Sequence, residues 1–371
     1  MTTRIALVVV MLMSPLMSGC HGTRGVPQSP SGQAETVSVE PDEPALFPVW
    51  VGGKFGYIDR TGKIVINPQF DSAGHFTEGL AIVRIGDDVT GKWGYIDKTG
   101  TVVVNPQFDI GWDFSEGLAG VRIGDDQTGK WGYIDRTGKI VINPQFDLGW
   151  SFSEGLARVQ VGDRESRRWG YIDKTGTIVI SPQFDRAWDF SEGLASVHVR
   201  HWWTDGWGYI DRTGTMVINP RFDRAYDFSG GLSRVRIRRW WTDRWGYIDK
   251  TGKYVIDPQF GDAGSFSEGL ADVLIGEWGS GKWGYIDKTG KFVIDPQFDG
   301  PPGHFSEGLA RVQIGGKFGY IDMTGKIVIS PQFDQGWDFS EGLACVWIGI
   351  EETAKWGYID KTGAYVWEPT N

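Results

Sequence analysis

The chain has 371 residues with 47 acidic and 37 basic side chains, which give a net charge of −10 and a pI near 5.1. A balance this acidic argues against general nucleic-acid binding, because binding to phosphate backbones requires an excess of positive charge. The 19 Trp, 20 Phe and 12 Tyr residues supply ample apolar area for a packed core.

Residues 1–19 have the pattern of a lipoprotein-type signal peptide. Arg4 supplies a positive charge, residues 5–13 are apolar, and two small residues precede Cys20. This pattern predicts export through a bacterial secretory signal that ends at a lipidated Cys20. The protein would then be anchored by lipid to the cell envelope, on its periplasmic or cell-surface side. An ordinary cleaved signal followed by an incidental cysteine is the alternative.

The composition of residues 20–46 predicts a disordered tether. The segment is rich in Gly, Ser, Gln and Pro, and it shows no apolar periodicity that could form a buried face. We expect it to hold a folded domain, residues 47–371, away from the membrane surface.

The folded domain is a series of repeats. The phrase Trp-Gly-Tyr-Ile-Asp, with Phe replacing Trp twice, occurs nine times, beginning at Phe55, Trp93, Trp131, Trp169, Trp207, Trp245, Trp283, Phe318 and Trp356. The spacing is 38 residues, except for 35 residues between Trp283 and Phe318. A constant period of this length is typical of repeat architectures, in which each unit buries its apolar face against its neighbours.

The sequence pattern of each copy predicts three or four short β-strands. The first, such as Trp93 to Asp97, ends in an Asp-Lys/Arg-Thr-Gly turn, whose Asp we interpret as a turn residue rather than a catalytic acid. The second strand has a central Val with apolar flanks, which predicts that other residues pack against both of its faces. A Pro follows it, as at Pro106, which indicates that this strand is at the edge of the sheet. A Leu-Ala-x-Val strand follows, and the short segment before it is a candidate for a fourth, inner strand.

These strands predict an all-β fold of propeller-like blades with three or four antiparallel strands each. Residues 47–52 resemble the third strand of a later copy, and the chain stops after a hairpin at Val366. The domain would therefore contain eight full repeats and a split ninth unit, in which the first and last strands complete each other. Because this number exceeds that of most propellers, an open β-solenoid or superhelical array is the alternative.

The aligned copies share Lys-Trp-Gly-Tyr-Ile-Asp-Lys-Thr-Gly-Lys-Ile-Val-Ile-Asn-Pro-Gln-Phe-Asp, a short variable stretch, and Phe-Ser-Glu-Gly-Leu-Ala-x-Val-x-Ile-Gly. This pattern resembles the WG (KWG) repeat family of bacterial proteins over about residues 47–368. The resemblance implies a β-rich repeat protein, often exported, and it implies no particular substrate.

Motifs for catalysis are absent from the sequence. The five His residues have no Cys or His partners at metal-ligand spacing, and no nucleophile elbow or phosphate-binding Gly loop occurs. We therefore predict no catalytic residues, no metal and no cofactor. The Glu of Ser-Glu-Gly recurs in seven copies and could form a ring of carboxylates, although a turn Glu that pairs locally is the simpler interpretation. Glu277 and Glu351 are the acids that least follow the repeat.

Positions that differ between copies are where a ligand would be recognised. Four consecutive copies carry an aromatic residue three places after the repeated Asp, and Trp337 occupies this place later in the chain. The four are Trp112, Trp150, Trp188 and Tyr226. Equivalent positions align along one face of a repeat array, so we predict an aromatic stripe suited to sugars or Pro-rich peptides. The alternative is that these rings only fill the contact between units.

A second variable place is the loop before the Trp-Gly step. Two consecutive copies carry paired tryptophans there, with arginines close by in sequence; the candidate residues are Trp202, Trp203, Trp240, Trp241, Arg236, Arg238 and Arg239. Trp and Arg are enriched in interface hot spots, and Arg binds carboxylates and phosphates in a bidentate manner. The hypothesis is that these loops bind an acidic partner. Solvated arginines and mutually packed tryptophans are the alternative.

The sequence thus favours a membrane-tethered, non-catalytic binding or scaffold protein of the cell envelope. Its partner would be an envelope protein or an anionic or neutral glycan, with no role for nucleic acid. The alternative is a glycan-processing enzyme that uses carboxylates from different copies of the repeat scaffold.

Overall fold

The computed structural model describes residues 45–370, apart from 126, 163–165, 202–203, 240–241 and 350–353. The predicted signal peptide, Cys20 and nearly all of the predicted tether lie outside these residues. The described chain is all-β and forms nine antiparallel sheets, which are arranged around an axis as the blades of a β-propeller. This confirms the predicted fold class.

The blades follow the chain in order. Blades 1 to 3 comprise β1 (Phe47–Val51), β2 (Lys54–Ile58) and β3 (Ile64–Phe70); β4 (Ser72–Thr77), β5 (Leu80–Ile85), β6 (Lys92–Asp97) and β7 (Val102–Phe108); and β8 (Ile110–Gly111), β9 (Leu118–Ile123), β10 (Lys130–Asp135) and β11 (Ile140–Phe146). Blades 4 to 6 comprise β12 (Leu148–Gly149), β13 (Leu156–Val161), β14 (Arg168–Asp173) and β15 (Ile178–Phe184); β16 (Arg186–Ala187), β17 (Leu194–His201), β18 (Thr204–Asp211) and β19 (Met216–Phe222); and β20 (Arg224–Ala225), β21 (Ser233–Arg239), β22 (Thr242–Ile248) and β23 (Tyr254–Phe260). Blades 7 to 9 comprise β24 (Asp262–Ala263), β25 (Ala271–Ile275), β26 (Lys282–Ile286) and β27 (Phe292–Phe298); β28 (Leu309–Ile314), β29 (Lys317–Asp322) and β30 (Ile327–Phe333); and β31 (Gln335–Gly336), β32 (Leu343–Ile348), β33 (Lys355–Asp360) and β34 (Tyr365–Thr370).

Within a blade, each strand pairs with the next one in sequence, from the short inner strand to the Pro-containing outer strand. The outer strand is an edge, as its Pro predicts. The prediction that both of its faces are covered was wrong. In eight blades the central Val is 39–45% exposed, while the Ile or Val that follows it is buried, because only one face of this strand packs against a neighbouring blade.

The Gly of the Trp-Gly step is required by this outer strand. In every blade the pairing between the last two strands shifts register around the Pro, which forms a β-bulge. The bulge lies directly over the Gly, so that a Cβ on Gly319 would stand 2.5 Å from the Ile329 carbonyl oxygen and 2.7 Å from the Pro331 nitrogen. The same close approach occurs at all nine copies. A side chain at this position would collide with main chain rather than with a movable side chain.

The turn after this step also has its predicted geometry. Asp135, for example, accepts hydrogen bonds from the Thr137 main-chain N–H at 2.9 Å, from the Thr137 hydroxyl at 2.6 Å and from the Lys139 N–H at 3.1 Å. These bonds, the Thr hydroxyl first among them, lower the pKa of the Asp135 carboxyl. The equivalent Asp accepts the same bonds in all nine turns, which supports its interpretation as a structural residue.

The core lies between blades rather than within them. One cluster, for example, joins Tyr95 and Val104 of blade 2 to Phe114, Ala119 and Ile134 of blade 3. The Tyr of each copy is buried there, and its hydroxyl donates a hydrogen bond of 2.7–3.1 Å to a main-chain carbonyl of the following blade. In five copies the Ser hydroxyl of Ser-Glu-Gly donates to a Phe carbonyl of the following blade as well, and Ser229 of the Ser-Gly-Gly copy does the same.

The repeated Glu is a further link between blades. All seven have a positive φ of 50–54°, and Gly230 takes this conformation where Glu is replaced. The side chain does not pair within its own turn, as the simpler interpretation expected. Glu116 accepts the Gly155 N–H of the next blade at 2.9 Å and lies 3.1 Å from the Lys174 ammonium of that blade. The acids therefore join neighbouring blades rather than forming an unpaired ring.

The same interactions close the ring between blade 9 and blade 1. Tyr358 donates to the Pro48 carbonyl at 3.1 Å and packs against Phe47 with ring centroids 5.4 Å apart. Arg60 pairs with Glu341 at 2.6 Å. The alternative of an open superhelical array is thereby excluded. Closure differs in one respect from the sequence prediction, because each sheet is built from one continuous segment and the terminal strands do not share a sheet.

The Trp-Gly packing makes a prediction for stability. We expect Gly319→Ala to lower the free energy of unfolding by about 3 kcal/mol, at the upper end for an overpacked site, because the opposing atoms are main chain. Gly308→Ala is the control in the same blade: it has a positive φ but open space around a Cβ, so a loss of about 1 kcal/mol is expected. Chemical denaturation measures both. Equal losses would contradict this explanation of the Trp-Gly step.

The tyrosine bonds make a second prediction. Tyr133→Phe removes the hydroxyl that donates to the Trp150 carbonyl at 2.8 Å, so the unfolding free energy should fall by about 1.5 kcal/mol because a buried carbonyl loses its partner. Tyr365→Phe is the control, since the half-buried Tyr365 donates no hydrogen bond among the described residues. A shift of the denaturation midpoint that is as large for Tyr365→Phe would show that the hydroxyl bond is not the cause.

Candidate functional site

Three positions of the repeat vary in chemistry while the scaffold around them stays constant. They are the first residue of the short inner strand, the aromatic position that follows this strand, and the x of Leu-Ala-x-Val. All three lie at the inner end of the blades, where neighbouring blades come closest. The x position holds Ile82, Gly120, Arg158, Ser196, Arg234, Asp272, Arg311 and Cys345.

The predicted aromatic stripe exists as a stack that crosses blades. Trp112 of blade 3 lies parallel to Trp150 of blade 4, with ring centroids 5.2 Å apart and planes 11° apart. The Trp112 ring fits closely over Gly120, where a Cβ would stand 2.9 Å from it. Its indole N–H donates to the Gly149 carbonyl at 3.0 Å. Small size at the x position therefore lets a tryptophan bridge two blades.

In blade 4 an arginine takes this bridging role. The Arg158 guanidinium lies between two rings, 4.5 Å from the Trp150 centroid and 5.1 Å from the Trp188 centroid. It donates to the Ala187 carbonyl of blade 5 at 2.6 Å and pairs with Asp189 at 2.8 Å. Arg158 is buried, so these partners are needed to stabilise its positive charge away from water.

Two further blades repeat the arrangement. Arg234 donates to the Ala263 carbonyl of blade 7 and lies 4.0 Å from the Tyr226 ring centroid. Arg311 donates to the Gly336 carbonyl of blade 9 at 2.9 Å. An arginine at the x position thus fills the space between its own blade and the next one.

Blade 5 differs because its x residue is Ser196, which cannot fill that space. Trp188 and Tyr226 stack directly here, with centroids 6.1 Å apart. A cleft of about 260 Å³ lies at blade 5 and is lined by residues of blades 4, 5 and 6. It is lined by Arg158, Trp169, Arg186, Ala187, Trp188, Trp207, Arg224, Ala225 and Tyr226. We call this the blade 5 cleft.

The blade 5 cleft is aromatic and basic. Arg186 and Arg224 occupy the same position on the inner strands of blades 5 and 6, and both are exposed. Neither makes a hydrogen bond or ion pair within the described part of the chain, in contrast to Arg158. The described lining residues include no carboxylate. The cleft can therefore offer two guanidinium groups to an anion.

The loop site predicted from paired tryptophans is only partly described. Trp202, Trp203, Trp240 and Trp241 lie outside the described residues, as does the Arg239 side chain. Arg236 and Arg238 both pair with Asp243, at 3.0 and 3.2 Å. Arg236 also lies opposite Arg224 in the pairing of β20 with β21, which connects this loop strand to the blade 5 cleft.

In other blades a partly buried acid directly follows the aromatic position, as at Asp113 and Asp338. Burial raises the pKa of Asp113 to about 6, and burial is also the main cause that raises the pKa of Asp338. His304 lies 3.3 Å from Asp272, and this contact raises the pKa of His304. Within the described ranges, no group of three or more His, Cys, Asp or Glu residues is arranged to hold a metal ion.

Of the two acids that least follow the repeat, Glu277 is not placed as a buried catalytic group. Glu277 is 72% exposed and lies 3.1 Å from the Arg244 guanidinium, and Glu351 lies outside the described residues. Sequence reasoning missed Arg186 and the role of Ser196. The signal was present, because Arg186 and Arg224 are 38 residues apart and Ser196 interrupts the arginines at the x position.

Comparison with known proteins identifies the repeat. The family model described as "WG containing repeat" matches eight segments, which are residues 55–87, 93–125, 131–164, 169–199, 207–239, 245–277, 283–318 and 318–346. No curated protein shows a significant sequence match. Among the described residues, no helix has the length and apolar character needed to cross a membrane.

One solved structure supports the fold, and two others are less similar. A crystal structure of a eukaryotic initiation factor is similar with a TM-score of 0.64 at 12% identity, over 89% of this chain and 97% of that one. The β-propeller domain of the Trilobed protease from Pyrococcus furiosus gives 0.40 at 10% identity, over 67% and 93%. Prolyl oligopeptidase B from Galerina marginata gives 0.42 at 12% identity, over 78% and 54%. The first likeness concerns the fold alone, and the other two are too weak for any inference.

The two kinds of arginine at the cleft make a prediction. Arg158→Met should lower the unfolding free energy by about 2 kcal/mol, because the Ala187 carbonyl and the Asp189 carboxylate lose a shared partner. Arg186→Met is the matched control, with an expected change of less than about 0.5 kcal/mol for an exposed residue without a partner. Chemical denaturation of both variants measures the two changes in unfolding free energy. If Arg186→Met is the more destabilising, then Arg186 has a structural role and is not available to a ligand.

Proposed function

Since the chain belongs to the family of proteins built from WG-containing repeats, we propose that it is a non-catalytic binding or scaffold protein that recognises its partner at the variable inner ends of its blades. The observation that carries this proposal is the contrast between the constant and the variable positions. The repeated Asp, Gly, Tyr and Glu residues serve turns, bulges and links between blades. The variable ones assemble an aromatic stack and an open basic cleft.

The chemistry of these variable positions suits recognition. Tryptophan and tyrosine faces provide large, rigid contact area, and exposed arginines add directional bonds to carboxylates or phosphates. Trp150 is 38% exposed although it belongs to the stack, so part of the stripe remains open to a partner. The partner would be an envelope protein or a glycan.

The location of the protein is part of the same proposal. The apolar segment before Cys20 and the Pro-rich stretch after it support export, lipid attachment at Cys20 and a tether to the envelope. The propeller would then be displayed at a distance from the membrane. Such a location is consistent with a role in binding envelope components.

A glycan-processing enzyme is the second candidate, and one observation favours it. Asp338 and Asp262 are acids whose pKa is raised mainly by burial, which is a property of general acids in glycosidases. This candidate requires turnover of a polysaccharide that is abolished by Asp338→Asn.

Partner capture by the full-length chain tests the proposed function. The chain is exposed to an envelope extract and to a glycan array, beside two variants. The loop variant carries Trp203→Ala, Trp241→Ala and Arg238→Ala, and the cleft variant carries Arg186→Gln and Arg224→Gln. We expect the unchanged chain to retain a partner and at least one variant to lose more than 90% of the bound material, because hot-spot residues dominate binding.

The control is Lys139→Gln with Lys253→Gln. Both lysines are exposed at the outer ends of blades, and their replacement changes the net charge by the same amount as the cleft variant. Loss in this control would show that overall charge, not a site, determines capture. Absence of any partner for the unchanged chain in both assays would contradict the proposed function.

A further inference from the structure

The blade 5 cleft lies beside a place where one side chain is missing from a repeated arrangement. In blades 4, 6 and 8 an arginine at the x position reaches a carbonyl of the next blade. Blade 5 has Ser196 there, although blade 6 offers the equivalent Ala225 carbonyl. The Ser196 side chain is buried, and its hydroxyl has no hydrogen-bond partner. No x-position arginine therefore reaches from blade 5 to blade 6, at a place where the fold accommodates a large polar group in other blades.

The walls of the blade 5 cleft favour a ring-shaped ligand. Four aromatic side chains, Trp169, Trp188, Trp207 and Tyr226, face a volume of about 260 Å³. This volume is just below the usual range of small-molecule sites, so it suits one sugar-sized ring rather than a larger ligand. Aromatic faces are good contact surfaces for the apolar C–H face of such a ring.

The charges of the cleft favour an anion. Arg186 and Arg224 have no partner within the described structure, and the third arginine, Arg158, is neutralised by Asp189. Guanidinium groups bind carboxylates through two parallel hydrogen bonds, and a partly enclosed site strengthens these bonds. Two free guanidiniums without a carboxylate in the lining therefore favour a negatively charged group over a neutral or a cationic one.

We infer that the blade 5 cleft binds a carboxylate-bearing sugar ring of an acidic polysaccharide; this rests on the proposed binding function and specifies its ligand. The sugar ring contacts the aromatic walls, and its carboxylate lies between Arg186 and Arg224. An acidic peptide would satisfy the arginines with flexible side chains but would leave the aromatic faces without a flat partner. Inorganic phosphate would contact the arginines but not the aromatic walls.

The surroundings of the cleft fit a polymer rather than a free sugar. Trp150 adjoins the cleft through Arg158, on which both Trp150 and Trp188 stack. Because Trp150 is half-exposed, a neighbouring sugar of the same chain can contact it while the first ring occupies the cleft. Affinity should then rise with the number of linked sugars.

Binding of defined oligosaccharides to the full-length chain tests the inference. The probes are a trimer of galacturonic acid, the neutral galactose trimer, a tri-glutamate peptide and inorganic phosphate, each measured by calorimetry and by tryptophan fluorescence. We expect the acidic trimer to bind at least tenfold more tightly than each of the other three. Its affinity should fall as salt is raised from 20 to about 150 mM, because the arginines are accessible to screening ions.

Two variants locate the site. Arg186→Gln with Arg224→Gln should weaken binding of the acidic trimer at least tenfold, while the Lys139→Gln, Lys253→Gln control leaves the affinity within twofold. Ser196→Arg should also weaken binding at least tenfold, because it supplies the arginine that fills this space in blades 4, 6 and 8. Both variants are checked for an unchanged thermal transition. If Ser196→Arg does not fold, the binding measurement on the Arg186→Gln, Arg224→Gln variant tests the inference alone.

Several outcomes would overturn the inference. Unchanged affinity in the arginine variant would place the sugar elsewhere. Equal binding of tri-glutamate would mean that the occupant is an acidic peptide, and equal binding of phosphate would mean that the cleft is only an anion site. If no acidic trimer binds while partner capture persists, the inference about the ligand fails and the proposed binding function stands; if both fail, neither stands.

Discussion

The structure depends on one constraint: no blade can bury its apolar face without the next blade. The buried Tyr of each copy packs into the core shared with the following blade, and its hydroxyl satisfies a main-chain carbonyl there. Because the same bond recurs from Tyr57 to Tyr358, the last blade has an open core face and the first blade has the matching surface. Closing the ring removes both exposed ends, and a linear array would leave them in water.

This constraint also determines where function can arise. Substitutions at the turn Asp, the Trp-Gly glycine or the Tyr would disturb a contact that holds two strands or two blades together. The inner position x is different, because neighbouring blades accommodate Gly, Ser, Asp or Arg there by changing what bridges the gap. Trp112 does so over Gly120, and Arg158 does so with its own side chain. At Ser196 neither solution is used, and Trp188 stacks directly on Tyr226 beside the cleft.

Several errors in the sequence interpretation have a common origin. The exposed Val of the outer strand was expected to be covered, because apolar flanks on both faces are typical of an interior strand. The repeated Glu was expected to pair within its own turn, but its partners are at least 35 residues away in sequence, in the next blade. Both cases concern what lies beside a strand or a turn in space, and a pattern within one copy contains no information about that.

The sequence by itself determined the repeat length, the order of strands within a blade, the turn chemistry and the outer edge marked by Pro, because these follow from local propensities and side-chain period. It also indicated an aromatic stripe, since equivalent residues of successive repeats must align. Only the tertiary structure decided that nine blades close into a ring and that an open cleft lies around blade 5. Closure depends on the angle accumulated over all blades, and a cleft depends on which side chains of three neighbouring blades fail to fill one space.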